Sequence, residues 1–261
     1  FGLDNKSALR CKNMFALGLV CWLFERPLEE AMHMLQNKFA KKPVIAQANI
    51  KALTDGYNYG NNIHASVSTY RIESKKAEPG FYTDVNGNKA TSYGLIAAAE
   101  KAGLQLFLGS YPITPATDIL HELSKRKDLG VITVQAEDEI AGICTSIGAS
   151  FAGCLAATST SGPGLALKSE AIGLAVIAEL PLVIIDVQRG GPSTGLPTKS
   201  EQTDLMQALY GRNGESPAVV IAASTPTDCF DAAFWAGKLA VEHMTPVILL
   251  TDAFIANGSS A

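Results

Sequence analysis

The sequence has no C-x-x-C pair and no cysteine cluster. Its five cysteines stand apart at positions 11, 21, 144, 154 and 229, so neither an iron–sulfur cluster nor a zinc ribbon is written in them. An odd number of thiols in a chain of 261 residues points to reduced cysteines and a cytoplasmic location. The four histidines (His33, His64, His121, His243) lack metal-ligand spacing, and no metal site is expected. No Ser–His–Asp set presents itself. The longest apolar run covers residues 14–24, too short for a bilayer and flanked by Lys12 and Glu25. The basic start and small-residue cleavage site of a signal peptide are missing too. Positive charge is not in excess: 21 Lys+Arg against 25 Asp+Glu leave a net charge of −4. That removes the electrostatic argument for nucleic acid or an anionic membrane as partner.

What is present is a chain able to fold. Hydrophobic residues make up 47% and charged residues 18%, which excludes a disordered polymer. The chain begins at Phe1 and ends just after an apolar run, so it reads as a piece of something longer. Three regions differ in pattern. Residues 1–59 read as helices: Ser7 is placed to cap a run with Ala8, Cys11, Phe15, Leu19 and Trp22 on one face, Pro27 opens a second and Pro43 a third. Residues 60–88 read as a linker, with one alternating run at 65–70 suggesting a short strand. Residues 89–261 read as an α/β domain. Short apolar runs at 104–108, 131–134, 154–157, 182–187, 218–222 and 246–250 alternate with helix-like segments at 118–125, 137–151, 165–179, 201–210 and 227–242. The runs are apolar on both faces, as in strands covered by helices on each side. The expected fold is therefore an open parallel sheet of about six strands with helices on both faces. Ligands bind such sheets at the carboxyl ends of the strands.

Four loops lie there. The first is Gly109-Ser110-Tyr111-Pro112-Ile113-Thr114-Pro115, stiffened by two prolines; it is either a rigid ligand wall or a plain helix start. The second is Gln135-Ala136-Glu137-Asp138-Glu139-Ile140-Ala141. Its three acids fit the first turn of a helix by the macrodipole alone, or one of them faces the crevice. The third is Thr158-Ser159-Thr160-Ser161-Gly162-Pro163-Gly164, hydroxyls and glycines before a helix N-terminus. It is not G-x-S-x-G, G-x-G-x-x-G or a P-loop, which disfavours a hydrolase or a Rossmann-type nucleotide domain. The fourth runs from Arg189 through Gly191-Pro192-Ser193-Thr194-Gly195-Leu196-Pro197-Thr198; Arg189 is either a surface arginine or a fork for a carboxylate.

Taken in this order, the four loops, with Gly87-Asn88-Lys89-Ala90 before them, resemble the alpha subunit of the 2-oxoacid:ferredoxin oxidoreductases, nearest the 2-oxoglutarate type. The resemblance covers about residues 84–252, the pyrimidine-binding domain of a thiamine diphosphate enzyme; residues 1–59 look like the end of the family's gamma domain. It implies oxidative decarboxylation of a 2-oxoacid with coenzyme A to acyl-CoA, carbon dioxide and reduced ferredoxin, the cofactor carrying the hard chemistry. By motif position Glu137 is the glutamate on the aminopyrimidine N1′, with Glu139 its competitor, and it would share a proton with that nitrogen. Thr114 and Arg189 fall where the family contacts substrate, and Tyr111, Pro112, Ile113, Ser161 and Gly162 where it contacts the cofactor.

The resemblance also implies partners. The diphosphate and its magnesium ion are held on a Gly-Asp-Gly segment of a beta subunit, and no Gly-Asp-Gly occurs here. The iron–sulfur clusters are expected on the partner as well, in a homodimer of heterodimers that works with ferredoxin. Pyruvate or branched-chain members, and a non-catalytic subunit that keeps the thiamine fold, are the rival expectations.

Overall fold

The computed structural model describes residues 2–63, 68–73 and 78–260. The chain forms two compact units, residues 1–80 and 81–261.

The first unit is helical. Helix α1 spans Asn5–Arg10, α2 Lys12–Leu23, α3 Glu29–Lys38 and α4 Pro43–Ile63. The N-terminal cap is Asp4, whose carboxylate accepts from the backbone and hydroxyl of Ser7 at 2.8 and 3.0 Å. Ser7 is thus the capped residue, not the expected cap; an aspartate accepts the orphan N–H more strongly and sits one helical turn earlier. The buried face of α2 holds Gly18 and Cys21 rather than Phe15 and Leu19. The reason is backbone proximity: a Cβ on Gly18 would overlap the Leu53 carbonyl, and one on Gly56 the Phe15 carbonyl. Glycine carries no hydropathic signal, so the close crossing of α2 and α4 is invisible to a periodicity argument. Helix α4 runs past residue 59 because Gly60 packs beneath the Trp22 ring. Of the strand expected at 65–70, residues 65–67 lie outside the described residues, and 68–70 are not a strand; Tyr70 packs its ring near Phe24 instead.

In the second unit, strand β1 (Val85–Asn86) leads into α5 (Gly87–Ala102), β2 (Leu106–Ser110), α6 (Thr117–Ser124) and β3 (Ile132–Gln135). Then come α7 (Glu139–Phe151), β4 (Leu155–Thr160), α8 (Gly162–Ile177), β5 (Leu182–Gln188), α9 (Leu205–Tyr210) and β6 (Val219–Ala222). Helix α10 (Asp228–His243), β7 (Pro246–Asp252), α11 (Ala253–Asn257) and β8 (Ser259–Ser260) complete it. Six strands form one sheet in the order β3-β2-β4-β5-β7-β6, every pairing parallel. One core joins Leu95, Leu108, Ile119, Ile185, Ala233 and Leu249, placing α5, α6 and α10 on one face. The other core joins Ile143, Ala156, Leu165, Ile172, Ile184 and Ile248, placing α7 and α8 on the opposite face.

Helix α5 begins inside the stretch expected to be linker. Asn86 caps it by accepting from Lys89 N at 2.9 Å, so the polar Asn-Gly-Asn run is a helix start rather than loose chain. A two-stranded antiparallel ribbon of β1 and β8 is a further element absent from the expected set. Helix α7 starts at Glu139, two residues later than expected. Asp138 is the cap, accepting from Ala141 N at 2.8 Å, so Glu137 precedes the helix rather than riding on it.

Candidate active site

Sheet order decides which loops meet. From β2 the chain steps outward to β3, then returns to place β4 on the other side of β2. The β2/β4 boundary is thus the switch point where open α/β sheets leave a crevice. The ends of β3, β2, β4 and β5 carry Glu137, Tyr111–Thr114, Ser161–Gly162 and Arg189 in that spatial order. With neighbouring strands about 4.8 Å apart, the four ends span roughly 14 Å, the reach of one extended cofactor with its substrate.

Ala136 N donates to Ser110 O at 2.9 Å, which lays the acid-bearing loop beside Tyr111. Glu137 is solvent-exposed, as are Tyr111 and Thr114, while Pro112 and Ile113 are half-buried. A carboxyl group next to a short apolar wall fits the ring nitrogen and flat face of an aminopyrimidine, with one proton shared between carboxyl and nitrogen. Behind the wall, the Ser110 hydroxyl donates to Ser159 O at 2.7 Å and meets the Ser159 hydroxyl at 2.9 Å, tying β2 to β4 at the crevice.

Ser161 caps α8 with extended backbone, yet its buried hydroxyl has no hydrogen-bond partner. Buried polar atoms are rarely left so, and this one stands at a helix N-terminus on the crevice edge. Gly162 is also buried and lines a cavity of about 470 Å³ with Arg189, Pro192, Glu201, Asp204 and Gln207.

Arg189 is buried rather than a free surface side chain. One terminal nitrogen donates to Thr114 O at 2.6 Å and the other to Thr194 O at 2.7 Å. It thereby brings Thr114 to the β5 loop. Two of its five N–H donors are used in this way, and Nε has no partner, so donors remain for a ligand carboxylate. The long loop after β5 is closed at its base by Gly190 N to Lys199 O at 2.8 Å and held by Gly191 N to Glu201 Oε2 at 2.6 Å.

Among the buried ionisable groups that the motifs did not mark are Asp186 and Lys168. Asp186, fully buried in β5, has neither oxygen hydrogen-bonded. Burial raises its pKa well above the ordinary carboxyl value, and the neighbouring Asp204 carboxyl adds to the rise. The signal was a carboxylate inside the apolar run 182–187. Lys168 is fully buried in α8, where its ammonium donates to Thr158 Oγ1 at 2.9 Å and to Glu139 O at 3.0 Å. It occupies the buried stripe of Leu165, Ile172 and Ala175; a lysine at the apolar period was the signal there. Burial lowers its pKa to about 8, against the raising effect of Glu139 and Asp138.

That shift has a measurable sign. The folded value lies below the unfolded one of 10.5, so between pH 8 and 10.5 the unfolded chain binds more protons. Stability from this group therefore rises with pH through that window. Below it the full cost of the buried charge is present, about 3 kcal/mol at 1.36 per pKa unit. Compared with Lys168→Met, the wild type should gain about 3 kcal/mol in relative stability as pH goes from 7 to above 10.5. Paired urea titrations across that range check it; a constant difference would show that Lys168 titrates normally.

Among the described residues no group of three or more His, Cys, Asp or Glu side chains could hold a metal ion, and no helix is long and apolar enough to cross a membrane.

The comparison that decides the family is a match of residues 97–260 to the pyruvate flavodoxin/ferredoxin oxidoreductase thiamine diphosphate-binding domain. The chain belongs to that family. It is 58% identical over 258 residues to the 2-oxoglutarate oxidoreductase subunit KorA of Mycobacterium tuberculosis, covering 99% of this chain and 40% of that protein. It is 34% identical over 269 residues to the 2-oxoacid:ferredoxin oxidoreductase 1 subunit alpha of Aeropyrum pernix, covering 98% of this chain and 40% of that one. Among solved structures it matches the 2-oxoglutarate:ferredoxin oxidoreductase from Magnetococcus marinus, which has 2-oxoglutarate, coenzyme A and succinyl-CoA bound. That match has a TM-score of 0.80 and 36% identity, over 98% of this chain and 47% of that chain. The chain thus spans less than half the length of these relatives. The family, the α/β architecture and the parallel sheet agree with the expectations drawn from the loops.

Proposed function

We propose that this chain supplies the pyrimidine-side half of the thiamine diphosphate site in a 2-oxoacid:ferredoxin oxidoreductase, converting 2-oxoglutarate and coenzyme A to succinyl-CoA, carbon dioxide and reduced ferredoxin. The observation that carries the reading is the row of Glu137, Tyr111–Thr114, Ser161–Gly162 and Arg189 on four consecutive strand ends of a chain in this family. When bound, thiamine diphosphate would supply the nucleophilic and electron-storing chemistry that no amino-acid side chain offers. Glu137 shares a proton with N1′. Pro112 and Ile113 border the pyrimidine, with Tyr111 beside them, and the Ser161 hydroxyl and Gly162 line the cofactor's side of the crevice. Arg189 and Thr114 orient the substrate.

The partner is a beta subunit carrying the diphosphate–magnesium site and iron–sulfur clusters, assembled as a homodimer of heterodimers in the cytoplasm. The outer faces of the neighbouring helices α7 and α8 support this. They expose Ile140, Phe151, Leu167, Leu174 and Ile177, an apolar surface beginning three residues from Glu137. Exposed apolar side chains grouped on neighbouring helices mark an interface, and a subunit seated there would withdraw Glu137 from water. Residues 1–80, the helical unit, are assigned to the end of a gamma domain with its connection, and residues 81–261 to the pyrimidine domain.

The experiment is ferredoxin reduction by the full-length protein with its partner subunit, supplied with coenzyme A and one 2-oxoacid at a time. Turnover should need thiamine diphosphate and favour 2-oxoglutarate. Preference for pyruvate or a branched-chain 2-oxoacid would overturn the substrate assignment, and turnover independent of thiamine diphosphate would overturn the reading.

A further inference from the structure

A lysine ammonium sealed inside a protein with no carboxylate bonded to it is costly, and an apolar side chain of similar volume usually serves stability better. Lys168 is such a group. Its two acceptors belong to different elements: Thr158 on β4 and the backbone carbonyl of Glu139, the first residue of α7. Glu139 itself lies hard against α8, since a Cβ on Gly164 would come within 2.9 Å of its Cγ. The ammonium therefore joins α8 and β4 to the start of α7, and that start carries the loop with Glu137.

We infer that Lys168 is a positioning residue for the proton-sharing carboxylate: its buried tether to the Glu139 carbonyl holds the connection between β3 and α7 so that Glu137 stays at the strand end facing the crevice. This rests on the reading of Glu137 given above. A tether here fits the local geometry. Glu137 and Asp138 lie in a bend between strand and helix; Glu137 is in neither hydrogen-bond ladder, and Asp138 joins that of α7 only as its cap, its carbonyl accepting from Gly142 N at 3.0 Å. The two fastenings of that bend are Ala136 N to Ser110 O on its strand side and the Asp138 cap on its helix side. Lys168 holds the helix side from beneath, fixing α7 to the sheet instead of leaving the bend to swing with it. Catalytic groups lose about 10²-fold in rate for misplacements of the order of 1 Å, so a device that removes this freedom has a kinetic use that offsets its stability cost.

The tether depends on charge. The titratable groups around it are Glu139 and Asp138 at the start of α7 and Cys144 one turn on; β4 offers only the Thr158 hydroxyl. Loss of the proton near pH 8 weakens both bonds, because hydrogen bonds from charged donors are about twice as strong as neutral ones.

The test uses the full-length protein assembled with its partner subunit. Amide hydrogen exchange over residues 137–142 reads the tether without reference to activity. Lys168→Met should speed that exchange by about tenfold, the loss expected for one charge-assisted hydrogen bond, with no such acceleration in β5 and β7. Its kcat should fall about 10- to 100-fold with KM for the 2-oxoacid little changed, and the alkaline decline of kcat that the tether predicts for the wild type near pH 8 should be absent. A folded Lys168→Met with wild-type exchange and a wild-type pH profile overturns the proposal. If that variant does not fold, Thr158→Val, which removes one acceptor, should move the alkaline limb to lower pH; an unmoved limb overturns it equally. Glu137→Gln assayed in parallel separates the two readings. If it is inactive while Lys168→Met behaves as wild type, only the tether falls. If Glu137→Gln is fully active, the role of Glu137 falls, and hydrogen exchange decides the tether alone.

Discussion

Glu137→Gln should lower turnover of the assembled enzyme close to 10⁴-fold, the upper end of the roughly 10²–10⁴ that general acid–base groups contribute. The amide keeps the shape of the side chain and still reaches N1′ with a hydrogen bond, so cofactor affinity and fold should change little. What it loses is the capacity to exchange a proton with that nitrogen, on which every later step depends. Glu139→Gln is the comparison. Two residues apart on one helix would mean about 200° of separation, but Glu137 lies before the helix, so rotation does not distinguish the pair. Packing does: the Glu139 stem sits against Gly164 and its carbonyl is held by Lys168, whereas Glu137 is exposed at the strand end. Exchange of the cofactor's C2 proton should therefore slow drastically in Glu137→Gln and far less in Glu139→Gln. The reverse result would assign the role to Glu139; two active variants would remove thiamine chemistry from this loop.

The parallel sheet was legible because its strands are buried on both faces. Runs such as 182–187, apolar but for Asp186, and 246–250, short and set among helical segments, fit a buried strand and little else, and each strand of the parallel sheet begins within two residues of its expected start. Elements whose signal is polar were not legible. Asn86-Gly87-Asn88 reads as loop until its side-chain caps are seen, and α5 is rich in alanine, with little period to follow. In the helical unit the packing face was misread because Gly18 and Gly56 make backbone contact.

The site divides in the same way. Loop residues announced themselves by motif, and sheet order then set four of those loops side by side. What sequence could not supply was the geometry between them, such as Arg189 donating to the Thr114 carbonyl across 75 residues of chain. Nor did the motifs reveal Lys168 and Asp186, both buried in the core. A charged residue inside an apolar stripe was visible in the sequence, but only the structure shows which backbone it reaches.

This chain alone should bind magnesium thiamine diphosphate weakly, and addition of the partner subunit should tighten binding by at least about 10³-fold, the equivalent of roughly 4 kcal/mol. On the proposed reading the chain offers one carboxylate, a short apolar wall and a hydroxyl to the pyrimidine end. Neutral hydrogen bonds to such an open crevice contribute about 1 kcal/mol each, while the charge-assisted contacts to the diphosphate and its metal belong to the partner. Calorimetry with and without the partner measures the difference. The apolar face of α7 and α8 makes the comparison specific. Phe151 is 83% exposed, so Phe151→Glu should leave the fold intact. A buried unpaired carboxylate at an interface is strongly unfavourable, so this variant should fail to gain affinity when the partner is added. If the chain alone binds as tightly as the assembly, the shared-site reading is wrong. If Phe151→Glu assembles and binds like the wild type, the partner sits elsewhere and the exposure of Glu137 must be relieved by something other than a subunit on this face.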